Sequence, residues 1–144
     1  MNYFSYKKAL IKLRLNRDKE NKALSKSFEE AKRTGGLEKA REVYQSESFD
    51  LDNINEEIAV LITQYLRHKA EKKFLPVPPL NDKDGFWKQG QYTGKWYLTN
   101  KGITELQSLI RKDGKEKREM FSYWISILFG LIGAITGLIA VIKR

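Results

Sequence analysis

The side chains able to do chemistry are few and scattered. His68 is the single histidine, and there is no cysteine. Those two counts exclude a thiolate zinc site, an iron–sulfur cluster, a disulfide framework, a cysteine nucleophile and any arrangement needing two imidazoles. His68 stands between Arg67 and Lys69 with no carboxylate at metal-ligand spacing on a clear inward face, so a surface or packing role is expected. Asp50, Asp52, Glu56 and Glu57 form an acidic cluster where a helix is predicted to start. Carboxylates there complement the helix dipole, and the alternating ligand pattern of an EF-hand is missing. Gly85, Gly90 and Gly94 lack the Gly-Lys-Ser/Thr ending of a phosphate loop. No catalytic residue, metal ligand or cofactor is assigned, and neither an enzymatic activity nor a small-molecule substrate is expected.

Basic chemistry is concentrated at the N-terminus. The chain carries 27 Lys+Arg against 18 Asp+Glu, and residues 1–33 supply +6 of its net +9. Lys7, Lys8, Lys12, Arg14 and Arg17 alternate there with Tyr3, Phe4, Tyr6, Leu10, Ile11, Leu13 and Leu15. Three uses fit this interleaving: packing on a later helix, lying on an anionic leaflet, or contact with nucleic-acid phosphates.

The elements that carry these residues are mainly helical. Residues 1–33 read as one basic helix with a polar interruption at Asn16–Lys22, broken by Thr34-Gly35-Gly36. A short amphipathic piece over Leu37–Tyr44 and a loop over Ser46–Asp52 are predicted next. Asp52 or Asn53 then reads as an N-cap, with Asn53 and Glu56 resembling a capping box. Ile54, Ile58, Leu61, Ile62, Tyr65 and Leu66 give that helix its apolar face, and Pro76, Pro78 and Pro79 are expected to end it. Phe86-Trp87-Lys88 and Lys95-Trp96-Tyr97-Leu98 are expected to pair as a small aromatic β-hairpin. Thr99 reads as the cap of a following helix whose apolar face is Ile103, Leu106, Leu109 and Ile110. The expected segments are a helical region over 1–74, a Pro-rich connector and hairpin over 75–99, and a juxtamembrane helix over 100–119.

Residues 120–142 contain no charged side chain. Twenty-three residues make about 34 Å of helix, against roughly 30 Å of bilayer hydrocarbon. Phe121, Tyr123 and Trp124 suit one membrane interface, and Lys143 and Arg144 can snorkel to the other. Arg111, Lys112, Lys115, Lys117 and Arg118 precede the segment, and this excess predicts a cytoplasmic N-terminal domain. With two residues after the segment, insertion is expected at or after the end of synthesis. Ser126, Gly130, Gly133, Gly137 and Ala140 follow one another at spacings of 4, 3, 4 and 3. They form one small-residue stripe, with Gly133–Gly137 a GxxxG match, so self-association or pairing with another membrane subunit is expected.

Lys95-Trp96-Tyr97-Leu98-Thr99-Asn100-Lys101-Gly102, with Leu106 and Ile110-Arg111-Lys112, leads into Gly130-Leu131-Ile132-Gly133-Ala134 and Gly137-Leu138-Ile139-Ala140-Val141. Over residues 74–144 this pattern resembles an uncharacterised family of small bacterial C-terminally anchored membrane proteins. The resemblance implies that architecture and a bacterial inner membrane, and it brings no activity. The Tyr-Leu-Thr-x-Lys-Gly core also resembles the strand-into-helix ending of winged-helix regulators. The expectation is a helical cytoplasmic domain with a small hairpin and one C-terminal transmembrane helix, acting as a non-enzymatic membrane scaffold, adaptor or accessory subunit. The alternatives are a membrane-bound winged-helix-like nucleic-acid-binding regulator and a membrane-active effector of the phage or toxin type.

Overall fold

A computed structural model describes residues 2–80 and 85–142, with side chains through Thr136. The element order is α1 (Tyr3–Glu71), β1 (Trp87–Gln89), β2 (Trp96–Leu98) and α2 (Asn100–Ile142). The chain divides into two units, Met1–Leu106 and Gln107–Arg144.

Helix α1 is two antiparallel arms, residues 3–34 and 37–71, joined at Gly35-Gly36, whose backbone leaves the helical region. Gly36 sits at φ 73 and ψ −166, a combination that is essentially closed to residues with a Cβ. The predicted break is therefore a hairpin bend. Buried Ala31 and Ala40 flank it, and their small side chains let the arms close. Further along, Phe28 meets Tyr44 edge-on at 6.4 Å, and at the open end Tyr6 stacks on Tyr65 at 3.9 Å. Leu10, Leu24, Ile58, Val60 and Leu66 are buried.

The second arm corrects the sequence reading. Leu37–Tyr44 is not a separate piece, and residues 46–52, expected as a loop, are helical throughout. Asp52 and Asn53 lie inside the helix, so neither is an N-cap and no capping box forms with Glu56. Two side chains of that stretch have uses within the helix and beyond it. The Ser46 hydroxyl donates to the Val43 carbonyl at 3.0 Å, and Phe49 meets the Tyr92 ring edge-on at 4.8 Å.

The arm also ends before its prolines. Phe74 adopts a left-handed backbone with φ 55. The Leu75 N–H then donates to the Ala70 carbonyl at 3.0 Å and the Phe74 N–H to the Glu71 carbonyl at 3.1 Å. This is a Schellman turn, with Phe where glycine is usual.

Strands β1 and β2 pair antiparallel, with Trp87 opposite Leu98 and Gln89 opposite Trp96. This is the predicted hairpin. Leu98 and Leu106 are the most fully buried large side chains, at 1% and 0% exposed. Helix α2 runs unbroken through Gly114 to Ile142, with the Lys115–Glu119 and Lys117–Asp113 ion pairs along its polar stretch.

Candidate functional site

Three regions of the molecule hold residues with chemistry to offer. The first is the Tyr97–Gly102 motif and the loop beside it. Leu98 is core, and its N–H donates at 2.8 Å to the Thr63 hydroxyl, which in turn donates to the Ala59 carbonyl at 2.8 Å. A helix side chain thus satisfies a strand amide that β1 leaves open. Thr99 caps α2, its hydroxyl accepting from the Gly102 N–H at 3.3 Å and donating to the Gly85 carbonyl at 2.8 Å. Lys101 lies 4.9 Å from the Phe86 ring centroid. A Cβ on Gly102 would collide with the Phe86 carbonyl oxygen and the Leu98 side chain. Leu98, Thr99, Lys101 and Gly102 of the motif therefore each have a packing or capping task.

The loop between the strands presents three successive amides to one carboxylate. The Gln91 N–H donates to Glu56 Oε1 at 2.7 Å. The Tyr92 and Thr93 N–H groups donate to Oε2 at 3.1 Å and 3.0 Å, and the Thr93 hydroxyl reaches the same oxygen at 3.1 Å. Consecutive backbone N–H groups in a turn form an anion-binding nest, and here the anion is the protein's own Glu56. Burial pushes this carboxyl up, but the bonds from Thr93, Gln91 and Tyr92 outweigh it and hold it below the usual carboxylate range. The Tyr92 hydroxyl donates to Asp52 at 3.3 Å. Desolvation and the Asp52 charge together push that phenol up.

The second region is the basic first arm. Among the residues singled out by sequence, Lys7, Lys8, Lys12 and Arg14 are exposed, while Arg17 is half-buried and pairs with Asp18 at 3.1 Å. Lys7 also lies 5.7 Å from the Tyr3 ring centroid. Tyr6 and Leu10 face the second arm, whereas Phe4, Ile11 and Leu15 stay exposed.

The third region is the apolar part of α2. It is the one helix among the described residues long and apolar enough to cross a membrane, and none of its apolar window is buried. Every described side chain from Lys115 to Thr136 is exposed, including Phe121, Tyr123 and Trp124. The Ser126 hydroxyl donates to the Ser122 carbonyl at 3.0 Å, and Thr136 donates to Ile132. Open space surrounds Gly130 and Gly133. The backbone of Gly137 and Ala140 continues the helix; Lys143 and Arg144 lie outside the described residues.

No protein-family model, curated protein or solved structure matches this chain.

The structure joins residues that the sequence reading left apart. Asp52 and Glu56, expected at a helix start, both hold the hairpin loop. The signal for this was present in Gly90-x-x-x-Gly94, a tight turn whose amides need an acceptor. Among the described residues no group of three His, Asp or Glu side chains is placed to hold a metal ion. His68 is half-buried beside its helix neighbours.

Proposed function

We propose that the protein is a non-enzymatic scaffold or adaptor fixed to a membrane by residues 120–142, with Met1–Leu106 on the cytoplasmic side. The observation that carries this reading is the uncovered apolar helix. A stretch apolar on every side, whose Ser126 and Thr136 hydroxyls bond to their own helix, suits lipid and not water. The positive residues that precede it, Arg111, Lys112, Lys115, Lys117 and Arg118, favour the cytoplasmic side for the body. The likeness to small bacterial membrane proteins favours an inner membrane. Ser126, Gly130, Gly133, Gly137 and Ala140 supply a face on which a second copy, or another subunit's membrane helix, can approach closely. The buried carboxylate Glu56 is committed to holding the hairpin, which supports a structural and not a catalytic use of the body.

Fractionation tests the anchor. The full chain is expected in the membrane pellet after alkaline carbonate, and its recovery in the supernatant would overturn the reading. A reporter at the N-terminus is expected to behave as cytoplasmic. Gly133→Ile combined with Gly137→Ile is expected to reduce crosslinking between copies, whereas Ile135→Leu leaves it unchanged. Undiminished crosslinking in the double variant would reject the small-residue face.

A further inference from the structure

We propose that the outward side of the first arm of α1 docks on an anionic phospholipid surface, with Phe4, Ile11 and Leu15 entering the acyl boundary and Lys8, Lys12 and Lys19 meeting the headgroup phosphates. Packing of the two arms divides the N-terminal apolar residues into two sets. Tyr6, Leu10 and Leu13 fall on the side that meets the second arm, where Tyr6 stacks on Tyr65 and Leu10 is buried. Phe4, Ile11 and Leu15 stay 81%, 55% and 58% exposed. Separations of seven and four residues put these three on one stripe, opposite the buried set. Lys8, Lys12 and Lys19 flank that stripe, all exposed, and none is drawn into an ion pair among the described residues.

The combination selects the occupant. Nucleic-acid phosphates would engage the lysines and leave Phe4, Ile11 and Leu15 unused. A neutral apolar partner would cover the stripe and strand the lysines. An anionic leaflet uses both, because the apolar side of a surface helix sinks into the headgroup boundary while lysines stay at the phosphates. Phe74 adds a further uncovered ring, 97% exposed, beyond the end of the second arm where Tyr3 leans toward Tyr65. This docking rests on the anchored reading for its strength. A surface helix with three apolar contacts binds weakly alone, and a membrane helix in the same chain makes the contact intramolecular.

The absence of cysteine permits a clean label. Full-length protein carrying Leu15→Cys with an environment-sensitive fluorophore is reconstituted into vesicles of phosphatidylcholine alone, or mixed with phosphatidylglycerol, each with brominated acyl chains. Gln45→Cys, on the second arm, serves as the comparison position. Loss of fluorescence at position 15 but not 45, in the anionic vesicles and reversed by salt, is the expected result. Each of Lys8→Gln, Lys12→Gln and Lys19→Gln is expected to lower the docked-to-undocked ratio about five-fold. Protein that survives carbonate extraction in the vesicles without quenching at position 15 would overturn the docking and leave the anchor intact. Protein released by carbonate but quenched beforehand would remove the anchor and keep the docking. Equal quenching in neutral vesicles, or a response to duplex DNA alone, would reject the lipid-phosphate assignment.

Discussion

The second arm of α1 and residues 120–136 of α2 are both helices rich in Ile and Leu, yet they dispose of their apolar side chains in opposite ways. In the second arm the apolar residues recur at intervals, and Ala40, Ile58, Val60, Leu66 and Ala70 are buried by the rest of their unit. The polar residues among them are put to long-range use: Thr63 holds a strand amide and Glu56 a loop. In 120–136 the apolar run is continuous, no side chain is covered, and Ser126 and Thr136 bond only to their own helix. Continuity, more than apolar content, separates the two. A stripe can be covered by the same chain, whereas a helix apolar all round needs an apolar medium.

Four measurements test this contrast. Leu106→Ala is expected to cost the first unit about 2–5 kcal/mol, read by denaturant unfolding in mild detergent. Leu131→Ala, on an uncovered turn, is expected to leave that transition unmoved. A comparable loss from both would end the distinction between covered and uncovered helix. Glu56→Gln comes next, with an expected loss of about 1.5–3 kcal/mol near neutral pH, the range for a charged hydrogen-bonding group. Because the folded-state pKa of Glu56 is lowered, its contribution is complete above the unfolded value of about 4.3. It fades as pH falls through the folded value. Unfolding free energies measured between neutral and acid pH are therefore expected to decline in the native chain and to flatten in the variant.

Gly36→Ala probes the bend that lets the second arm find its cover. Its backbone region penalises a Cβ by about 1–3 kcal/mol, while a Cβ at Gly35 meets only the Lys39 side chain, which is free to swing away. Thermal melts are expected to rank Gly36→Ala well below Gly35→Ala. The smallest effect is a gain. Phe74 covers nothing and sits in a left-handed conformation, so Phe74→Asn is expected to raise stability by about 1 kcal/mol. Unchanged or lower stability would show that the exposed ring holds some part of the fold.

Much of this architecture was readable without coordinates because it rests on local signals. Gly35-Gly36 marked the bend, two short aromatic runs marked the strands, Thr99 marked the start of α2, and 120–142 marked a membrane-length helix. The misreadings fell where a distant partner decides the local state. Ser46, Asp50, Asp52 and Asn53 are residues of loops and caps, and nothing near them in sequence reveals that Phe49, Asp52 and Glu56 form a helical face for a hairpin some forty residues away. The interleaved basic segment was equally ambiguous. Its apolar residues divide between two sides, and only the partner arm shows which side is covered.

The Glu56 clasp also has a meaning in time. Its bonds from Gln91, Tyr92 and Thr93 span 35, 36 and 37 positions, and all of them precede the apolar run in chain order. At about 5–20 residues per second of synthesis, the roughly 27 residues from Thr93 to Met120 take more than a second to add. Helix growth and hairpin closure need only microseconds. Both halves of the clasp are therefore synthesised well before the most aggregation-prone stretch of the chain. The clasp draws on no residue of the apolar run, so a chain released from synthesis ahead of Met120 already holds every group that closes it.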